Sequence, residues 1–282
     1  VQRATVIKRR GEERSVPWPE RLPFAYWRNA ADLVVIAANR MNDQIMNEKE
    51  NNIMKPNKKY LSFYYEDITE VPDFYIDPKK TALLIVDMQT GFTQPDGPLY
   101  TPQSAEQLPT IADLKKFCNE KGIPVFMSIF AQDVDFHNDH YWFRNKQRGL
   151  LTEDGDVKFK PGSPECQIDP ALAPVEGDTV FPKYTYSCFS HTELETWLKK
   201  KRVRTLIICG TVTNWCVDST IREAYHKDYN VVAVADGISS YDHCGCTAND
   251  WNTALFDLWA EMFGRVMTAE QVKSEIEAAS GK

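Results

Sequence analysis

Short apolar runs alternate with longer segments whose apolar residues recur at helical spacing, from Thr81 to near the end of the chain. Uninterrupted apolar runs of this kind are typical of strands that are buried on both faces of a parallel sheet. The runs that we interpret as strands begin at positions 81, 123, 179, 205 and 230, and they read TALLIVDM, IPVFMSIF, TVFPK, TLIICG and NVVAVAD. Because strands and helices alternate, the sequence predicts a three-layer α/β/α fold with a central, mostly parallel sheet.

The segments between and after these runs are predicted helices, and two of them carry end signals. They span residues 104–122, 190–202, 214–227 and 250–263. Gly122 is expected to cap the first helix at its C-terminus. Ser190 and Glu193 have the spacing of a capping box, so the second helix is expected to begin at Ser190. The long segment 131–178 has no regular pattern and is predicted to be a loop region.

The first 77 residues differ in character from the rest of the chain. The stretch 7–24 is charged and interrupted by prolines, whereas 27–47 has helical spacing. We therefore predict an N-terminal extension over 1–77, partly helical with a helix near Trp27 to Asn47, followed by the α/β domain over 78–282.

Composition and charge narrow the class of partner. The chain has 282 residues, of which 43% are hydrophobic and 26% are charged, with a formal net charge of −7. Proteins bind nucleic acid or anionic lipid through clustered excess Lys and Arg, so this balance favours a small molecule or another protein. The best candidate for a membrane span, Ala31–Ala38, is too short to cross a bilayer. We expect neither a nucleic-acid partner nor a membrane partner.

The seven cysteines indicate a reducing compartment. Their number is odd, and they form no two CxxC pairs with zinc-ligand spacing, as is typical of reduced thiols in a chain large enough to fold on its core. We therefore expect a cytoplasmic protein. Cys209, at the end of an apolar run, and Cys188 are expected to be inert packing residues. Cys244 and Cys246 form a CxC pair, which is too little for a metal site.

Three reactive side chains lie where predicted strands end. Asp87 ends the first run, Lys183 ends TVFPK, and Cys216 follows TLIICG at the predicted start of a helix. Since ligands bind at the carboxyl ends of parallel strands, we expect these side chains to converge at one edge of the sheet. The helix dipole there would lower the pKa of the Cys216 thiol, and Asp87 could accept its proton. Taken singly, each residue also fits a structural role, as a packing cysteine, a turn aspartate or a surface lysine.

Three segments of the chain resemble the isochorismatase-like cysteine hydrolase family, over a range from about Thr81 to Val272. They are ALLIVDMQTGF, DTVFPKYTYSCFSHTELETWL and LIICGTVTNWCVDSTIREAYHKDYNVVAVADGISS. Any one segment would be weak, but the three occur in the family's order. The resemblance implies a Rossmann-like fold and a homo-oligomer.

The resemblance also assigns roles to particular residues. It implies a catalytic triad of Asp87, Lys183 and Cys216. It further implies a cis peptide bond between Thr211 and Val212, and an oxyanion hole formed by the backbone N–H groups of Val212 and Cys216. Such amide donors would stabilise the charge of a tetrahedral intermediate.

The residue at position 216 discriminates between activities within that family. Members that hydrolyse isochorismate, a vinyl ether, typically have glycine there, whereas members acting on amides and ureido compounds use a thiolate. Cys216 therefore favours hydrolysis of a C–N bond in a small amide, carbamoyl or ureido compound by water, through an acyl-enzyme. The alternatives are isochorismate-type ether hydrolysis, a nicotinamidase-like metal-binding amidase, and a catalytically silent member used for binding or assembly.

A metal would be expected only if this chain followed the nicotinamidase branch. That branch binds a divalent ion through an Asp-x-His motif and later histidines after the second strand. The corresponding segment here contains Asp133, Asp135, His137 and His140, but not at the family's spacing. A hydrated acidic loop is the commoner explanation, so we expect no metal and no cofactor.

Substrate contacts are expected from two regions. The resemblance places an aromatic pocket residue at Phe92, and Gln89 either contacts the substrate or supports the turn. The loop region could supply specificity through a cluster formed by Tyr141, Trp142, Phe143 and Arg144. Arg144 or Arg148 could bind a substrate carboxylate, although an exposed arginine is the commoner role. We interpret His226 and His243 as structural residues, since the family uses no catalytic histidine.

Overall fold

The structure, a computed structural model, describes residues 6–9, 12–15, 74–132, 144–152 and 156–280. The chain divides into two compact units, Val1–Lys55 and Pro56–Lys282. In the first unit, strands β1 (Val6–Arg9) and β2 (Glu12–Ser15) pair in antiparallel register. The sequence pattern did not predict these strands, because β2 contains no apolar residue. The helix predicted near Trp27 to Asn47 lies outside the described residues.

The second unit is built on a six-stranded sheet in which every neighbouring pair is parallel. Its strands are β3 (Thr81–Val86), β4 (Val125–Phe130), β5 (Thr179–Lys183), β6 (Thr205–Thr211), β7 (Asn230–Ser239) and β8 (Arg265–Met267). The spatial order is β5-β4-β3-β6-β7-β8. All of the predicted strands are present, which confirms the α/β fold with a parallel sheet. The edge strand β8 was not predicted, because three residues are too few to show a pattern.

Helices cover both faces of this sheet. They are α1 (Pro102–Glu120), α2 (Leu194–Lys200), α3 (Asp218–His226), α4 (Ala248–Met262) and α5 (Ala269–Ser280). One hydrophobic cluster joins Leu84 of β3 to residues of α2, α3 and α4, whereas a second joins Leu83 to residues of α1 and α5. Successive strand residues thus face opposite layers, which is the three-layer arrangement expected from the sequence.

No helix within the described ranges combines the length and the apolar character needed to cross a membrane.

The expected capping box at Ser190 is wrong. Helix α2 begins at Leu194, and its N-cap residue Glu193 makes no side-chain cap hydrogen bond. His191 has a φ of 57°, in the left-handed region, so the backbone between Ser190 and Glu193 cannot form the first turn of a right-handed helix. A capping box does occur at α4, where Thr247 and Asp250 exchange side-chain and backbone hydrogen bonds.

The sheet order changes direction between β3 and β6. The chain runs outward from β3 to β4 and β5, and then returns to the other side of β3 to form β6, β7 and β8. Loops that leave two adjacent strands in opposite directions open a crevice at their carboxyl ends. Asp87 directly follows β3, and Cys216 lies in the connection that follows β6.

Candidate active site

Asp87 is fully buried immediately after β3. Its φ of 53° lies in the left-handed region, which aspartate tolerates better than most residues. The hydroxyl of Ser128 donates a hydrogen bond of 2.7 Å to Oδ1 of Asp87. The same hydroxyl oxygen accepts a bond of 3.2 Å from the backbone N–H of Asp87. Ser128 is the buried polar residue within β4, so the neighbouring strand fixes the orientation of the carboxylate.

Lys183, the last residue of β5, lies between the carboxylate and the thiol. Its Nζ is 2.7 Å from Oδ2 of Asp87 and 3.2 Å from Sγ of Cys216, and it donates to the carbonyl oxygen of Thr185 over 2.9 Å. The side chains of Lys183 and Asp87 have no exposed surface. Burial by itself would lower the pKa of Lys183, but the effects of Asp87, Cys216 and Cys188 together outweigh it, and the pKa lies above that of a free lysine. The ammonium group is therefore charged at neutral pH.

Cys216 lies in a π-helical turn, Thr213–Val217, that leads into α3. Burial raises the pKa of its thiol, and although the charge of Lys183 opposes this effect, the net shift is upward. The expectation of a lowered pKa is therefore wrong for the free protein, because the cost of placing a thiolate among buried side chains exceeds the stabilising effect of the Lys183 charge. With its pKa raised, the thiol is neutral at physiological pH, and its Sγ accepts a hydrogen bond from Nζ of Lys183.

The loop before Cys216 is held from two sides. The peptide bond between Thr211 and Val212 is cis. The Thr213 hydroxyl is 2.5 Å from Oδ1 of Asn252 in α4, and both side chains are buried. Hydrogen bonds from the backbone N–H groups of residues 215 and 217 converge on the carbonyl oxygen of Val212. These contacts fix the backbone segment whose amides were expected to form an oxyanion hole.

A cavity of about 350 Å³ opens beside the thiol. Its lining residues are Phe92, Pro98, Leu99, Tyr100, Thr101, Phe130, Arg148, Tyr186, Val212, Trp215, Cys216 and Tyr241. The cavity thus brings together the predicted residues Phe92, Val212 and Cys216. Sequence reasoning missed the aromatic residues around the thiol, although Trp215 adjoins it in the chain and Tyr241 follows β7 at the carboxyl edge of the sheet.

Gln89 does not line this cavity. Its side chain is fully buried, and Nε2 donates to the carbonyl oxygens of Phe130 and Glu165 over 2.9 and 3.0 Å. Its Oε1 accepts a bond of 2.7 Å from the backbone N–H of Phe130. Both amide protons are used by the backbone, so the geometry supports the second of the two roles considered, in which Gln89 holds the turn.

The loop residues expected to contact substrate are only partly described. Tyr141 and Trp142 lie outside the described residues. Arg144 is exposed and is not among the residues that line the cavity. Arg148, four positions later, does line it, with its guanidinium carbon 4.8 Å from the ring centroid of Trp215.

Both ring nitrogens of His243 have partners. One nitrogen is 2.8 Å from Nδ2 of Asn214, and the other is 2.8 Å from the carbonyl oxygen of Tyr241. The ring stacks on Tyr241 with centroids 4.3 Å apart. His226 is the last residue of α3 and lies against Tyr225. Neither histidine lines the cavity beside Cys216.

The cysteines, all of which are free thiols, fall into different environments. Cys209 is fully buried in β6, where burial raises the pKa of its thiol. Cys188 is also fully buried, and burial raises its pKa to about 11. Ser128, which donates to Asp87, is one of the groups that oppose this rise in pKa.

No group of three or more His, Cys, Asp and Glu side chains that could hold a metal ion occurs within the part of the chain that the structure describes. The acidic and histidine-containing segment from Asp133 to His140 lies outside it.

Known proteins resemble this chain in sequence and in fold. A family model described as Isochorismatase domain matches residues 81–271. The ureidoacrylate amidohydrolase RutB of Pseudomonas syringae pv. syringae is 31% identical over 178 residues, which are 56% of this chain and 70% of that protein. The crystal structure of a cysteine hydrolase from Pseudomonas syringae pv. phaseolicola matches with a TM-score of 0.68 and 29% identity, covering 75% of this chain and 99% of that chain. The N-carbamoylsarcosine amidase of Thermoplasma acidophilum shares the fold, with a TM-score of 0.52, 21% identity, and coverage of 68% and 97%.

Proposed function

The chain belongs to the isochorismatase family, and from this premise we propose that it is a hydrolase that cleaves a C–N bond in a small amide, carbamoyl or ureido compound. The observation that carries the proposal is the contact of one buried ammonium, Lys183, with both the Asp87 carboxylate and the Cys216 thiol. The relative named as a ureidoacrylate amidohydrolase supports an amide or ureido bond as the target.

In the first step, Asp87 takes the proton of the Cys216 thiol. Both groups contact the same ammonium of Lys183, over 2.7 and 3.2 Å, so the proton passes between two neighbouring groups. Before the transfer Lys183 is paired with a carboxylate, and after it the same ammonium is paired with a thiolate. The negative charge changes position but is never left alone in the buried site, where an unpaired ion would be costly. A thiol with a raised pKa can therefore ionise transiently.

In the second step, the thiolate attacks the carbonyl carbon of the substrate. A C–S bond forms, and the negative charge moves to the carbonyl oxygen, which the amides of Val212 and Cys216 would stabilise. The protonated Asp87 then returns its proton to the leaving nitrogen as the C–N bond breaks. The amine or ammonia departs, and the acyl group remains on sulfur as a thioester.

In the third step, water releases the acyl group. Asp87 accepts a proton from the water as the water oxygen attacks the thioester carbonyl carbon, and the C–S bond then breaks. The proton returns to sulfur, so that the net reaction adds one water to the amide and yields a carboxylic or carbamic acid and an amine. Ser128 holds Oδ1 of Asp87 throughout, leaving the other side of the carboxylate to exchange protons.

An ammonia-release screen over primary amides, carbamoyl amino acids, ureides and biuret-like compounds tests the proposal. For any compound that is cleaved, Cys216→Ala and Asp87→Asn are expected to abolish turnover while the thermal unfolding curve stays cooperative. Cys209→Ala is the matched control, since this cysteine is buried in β6 away from the cavity, and it should retain activity.

The outcome for Cys216→Ala also separates the two enzyme classes considered for this family. Ether hydrolysis of the isochorismate type requires an acid but no nucleophile. Turnover that survives in Cys216→Ala and is lost in Asp87→Asn would therefore favour the ether hydrolase and contradict the proposal.

A further inference from the structure

The cavity beside Cys216 has one charged wall. Among the described residues that line it, Arg148 alone carries a charged side chain, and the others are aromatic, aliphatic or neutral polar residues. In the described part of the chain, no carboxylate forms an ion pair with this guanidinium, whereas several exposed lysines do have acidic partners. The protein therefore places a positive charge at the wall of a mostly apolar cavity.

The guanidinium is fixed in position rather than free in solvent. Its central carbon lies over the indole ring of Trp215, 4.8 Å from the ring centroid, and its charge is close enough to the Tyr241 phenol to lower the pKa of that group against the effect of burial. Trp215 directly precedes Cys216, so the arginine is anchored to the turn that carries the thiol. A guanidinium held over an aromatic ring keeps N–H donors along its edge, and this edge matches a carboxylate in bidentate geometry.

Further donors lie around the guanidinium. Burial raises the pKa of the Tyr186 phenol and of the Tyr241 phenol, so both remain neutral hydrogen-bond donors at physiological pH. The indole Nε1 of Trp215 is buried and has no hydrogen-bond partner among the described residues. A buried N–H without a partner is unfavourable, and a ligand oxygen would satisfy it.

We propose that these side chains form an anion subsite centred on Arg148, and that the substrates of this protein are amide or ureido compounds that also carry a carboxylate. The inference rests on the proposed function and specifies the substrate class. The carboxylate would bind Arg148, with Tyr186 and Tyr241 as further donors. The apolar walls at Phe92 and Leu99 would contact a short hydrocarbon spacer, and the scissile carbonyl would lie at Cys216.

A matched set of ligands isolates the charge from the rest of the molecule. The acids are ureidoacetate, 3-ureidopropanoate and 4-ureidobutanoate, which vary the spacer, and each is compared with its neutral carboxamide. Binding is measured by titration calorimetry to Cys216→Ala protein, in which no turnover occurs. At least one acid is expected to bind about 10- to 100-fold more tightly than its carboxamide, as for hydrogen bonds to a charged group.

Substitution of the arginine should remove that preference. Arg148→Gln in the Cys216→Ala background is expected to bring acid and carboxamide to similar affinity by weakening only the acid. Arg148→Lys, which keeps the charge but loses the planar fork, should give an intermediate ratio. Arg204→Gln is the matched control, because Arg204 is exposed before β6 at the opposite end of that strand.

The possible outcomes separate this inference from the proposed function. Equal affinities for acid and carboxamide, an unchanged ratio in Arg148→Gln, or no binding by any of these ligands would overturn the subsite. Cys216-dependent hydrolysis of the carboxamides as fast as the acids would also refute it, while the C–N hydrolase assignment would stand. Arg148-dependent binding of the acids without cleavage of any C–N bond would leave the subsite and contradict the proposed function.

Discussion

Replacement of Lys183 by methionine tests the central contact of the site. The substitution keeps an unbranched side chain of similar length but removes the ammonium that touches both Asp87 and Cys216. With an effective dielectric constant of about 20, unit charges 3.2 Å apart attract each other by about 5 kcal/mol. Removal of one partner from a buried ion pair typically costs about 3–5 kcal/mol. The two figures agree in size, so the thiolate should lose most of this stabilisation.

A loss of about 3–5 kcal/mol in the transition state lowers a rate by roughly 100- to 5000-fold. We expect kcat/KM of Lys183→Met to fall by at least about 100-fold in an ammonia-release assay. The midpoint of chemical denaturation should fall as well, since the Asp87 carboxylate is left buried without its partner. Lys200→Met is the control, because Lys200 is exposed on α2 and its loss should change stability by no more than about 0.5 kcal/mol.

The reasoning would be refuted by a Lys183→Met protein that retains kcat/KM within about threefold of the wild type. It would also be refuted if activity fell while the alkylation rate of Cys216 by iodoacetamide stayed the same. The ammonium is one of the groups that lower the pKa of that thiol, so its removal must slow alkylation at a fixed neutral pH.

Three further substitutions or conditions probe the surroundings of Asp87 and Cys216. Ser128→Ala removes the hydrogen bond of 2.7 Å to Asp87, and we expect kcat to fall by about tenfold with little change in KM. A rise in KM of the same size would argue against a role of Ser128 in orienting the carboxylate. Gly210→Ala should lower the free energy of unfolding by at least about 2 kcal/mol in urea denaturation. An added Cβ would lie 2.1 Å from the carbonyl oxygen of Val86, and the φ of Gly210 is +118°. Unchanged stability would contradict the close approach of β6 to β3. Since burial raises the pKa of Cys216, its alkylation by iodoacetamide should still be accelerating above pH 9, and a plateau below pH 8 would show that the thiolate is already favoured near neutrality.

The hydrophobic pattern predicted the sheet well because a strand buried on both faces must be apolar throughout. TALLIVDM and TLIICG became the adjacent strands β3 and β6, and the acid and the thiol that follow them meet at the same edge. Only the sheet order decided that β3 and β6 are neighbours, since no local pattern specifies which strands pair. The short strand β8 and the left-handed turn at His191 also depend on contacts that a single segment does not contain.

The site shows the same division at the level of side chains. The sequence identified Asp87, Lys183 and Cys216 as candidate site residues, from their chemistry at strand ends and from the family resemblance. The structure places Lys183 in contact with both of the others. The sequence did not reveal that Ser128 orients the carboxylate, since a serine within an apolar run is also compatible with ordinary packing. The sequence likewise did not distinguish Arg144 from Arg148 as the residue that could bind a substrate carboxylate.

The sequence by itself determined five strands of the six-stranded sheet and the reactive groups that follow three of them, because these depend on local periodicity and residue chemistry. The tertiary structure decided what surrounds each group. It buried the Cys216 thiol deeply enough to raise its pKa, used both amide protons of Gln89 in the backbone, and placed Arg148 rather than Arg144 at the cavity wall. Burial, hydrogen-bond partners and charge separation are properties of elements distant in the chain, and they exist only once those elements have packed together.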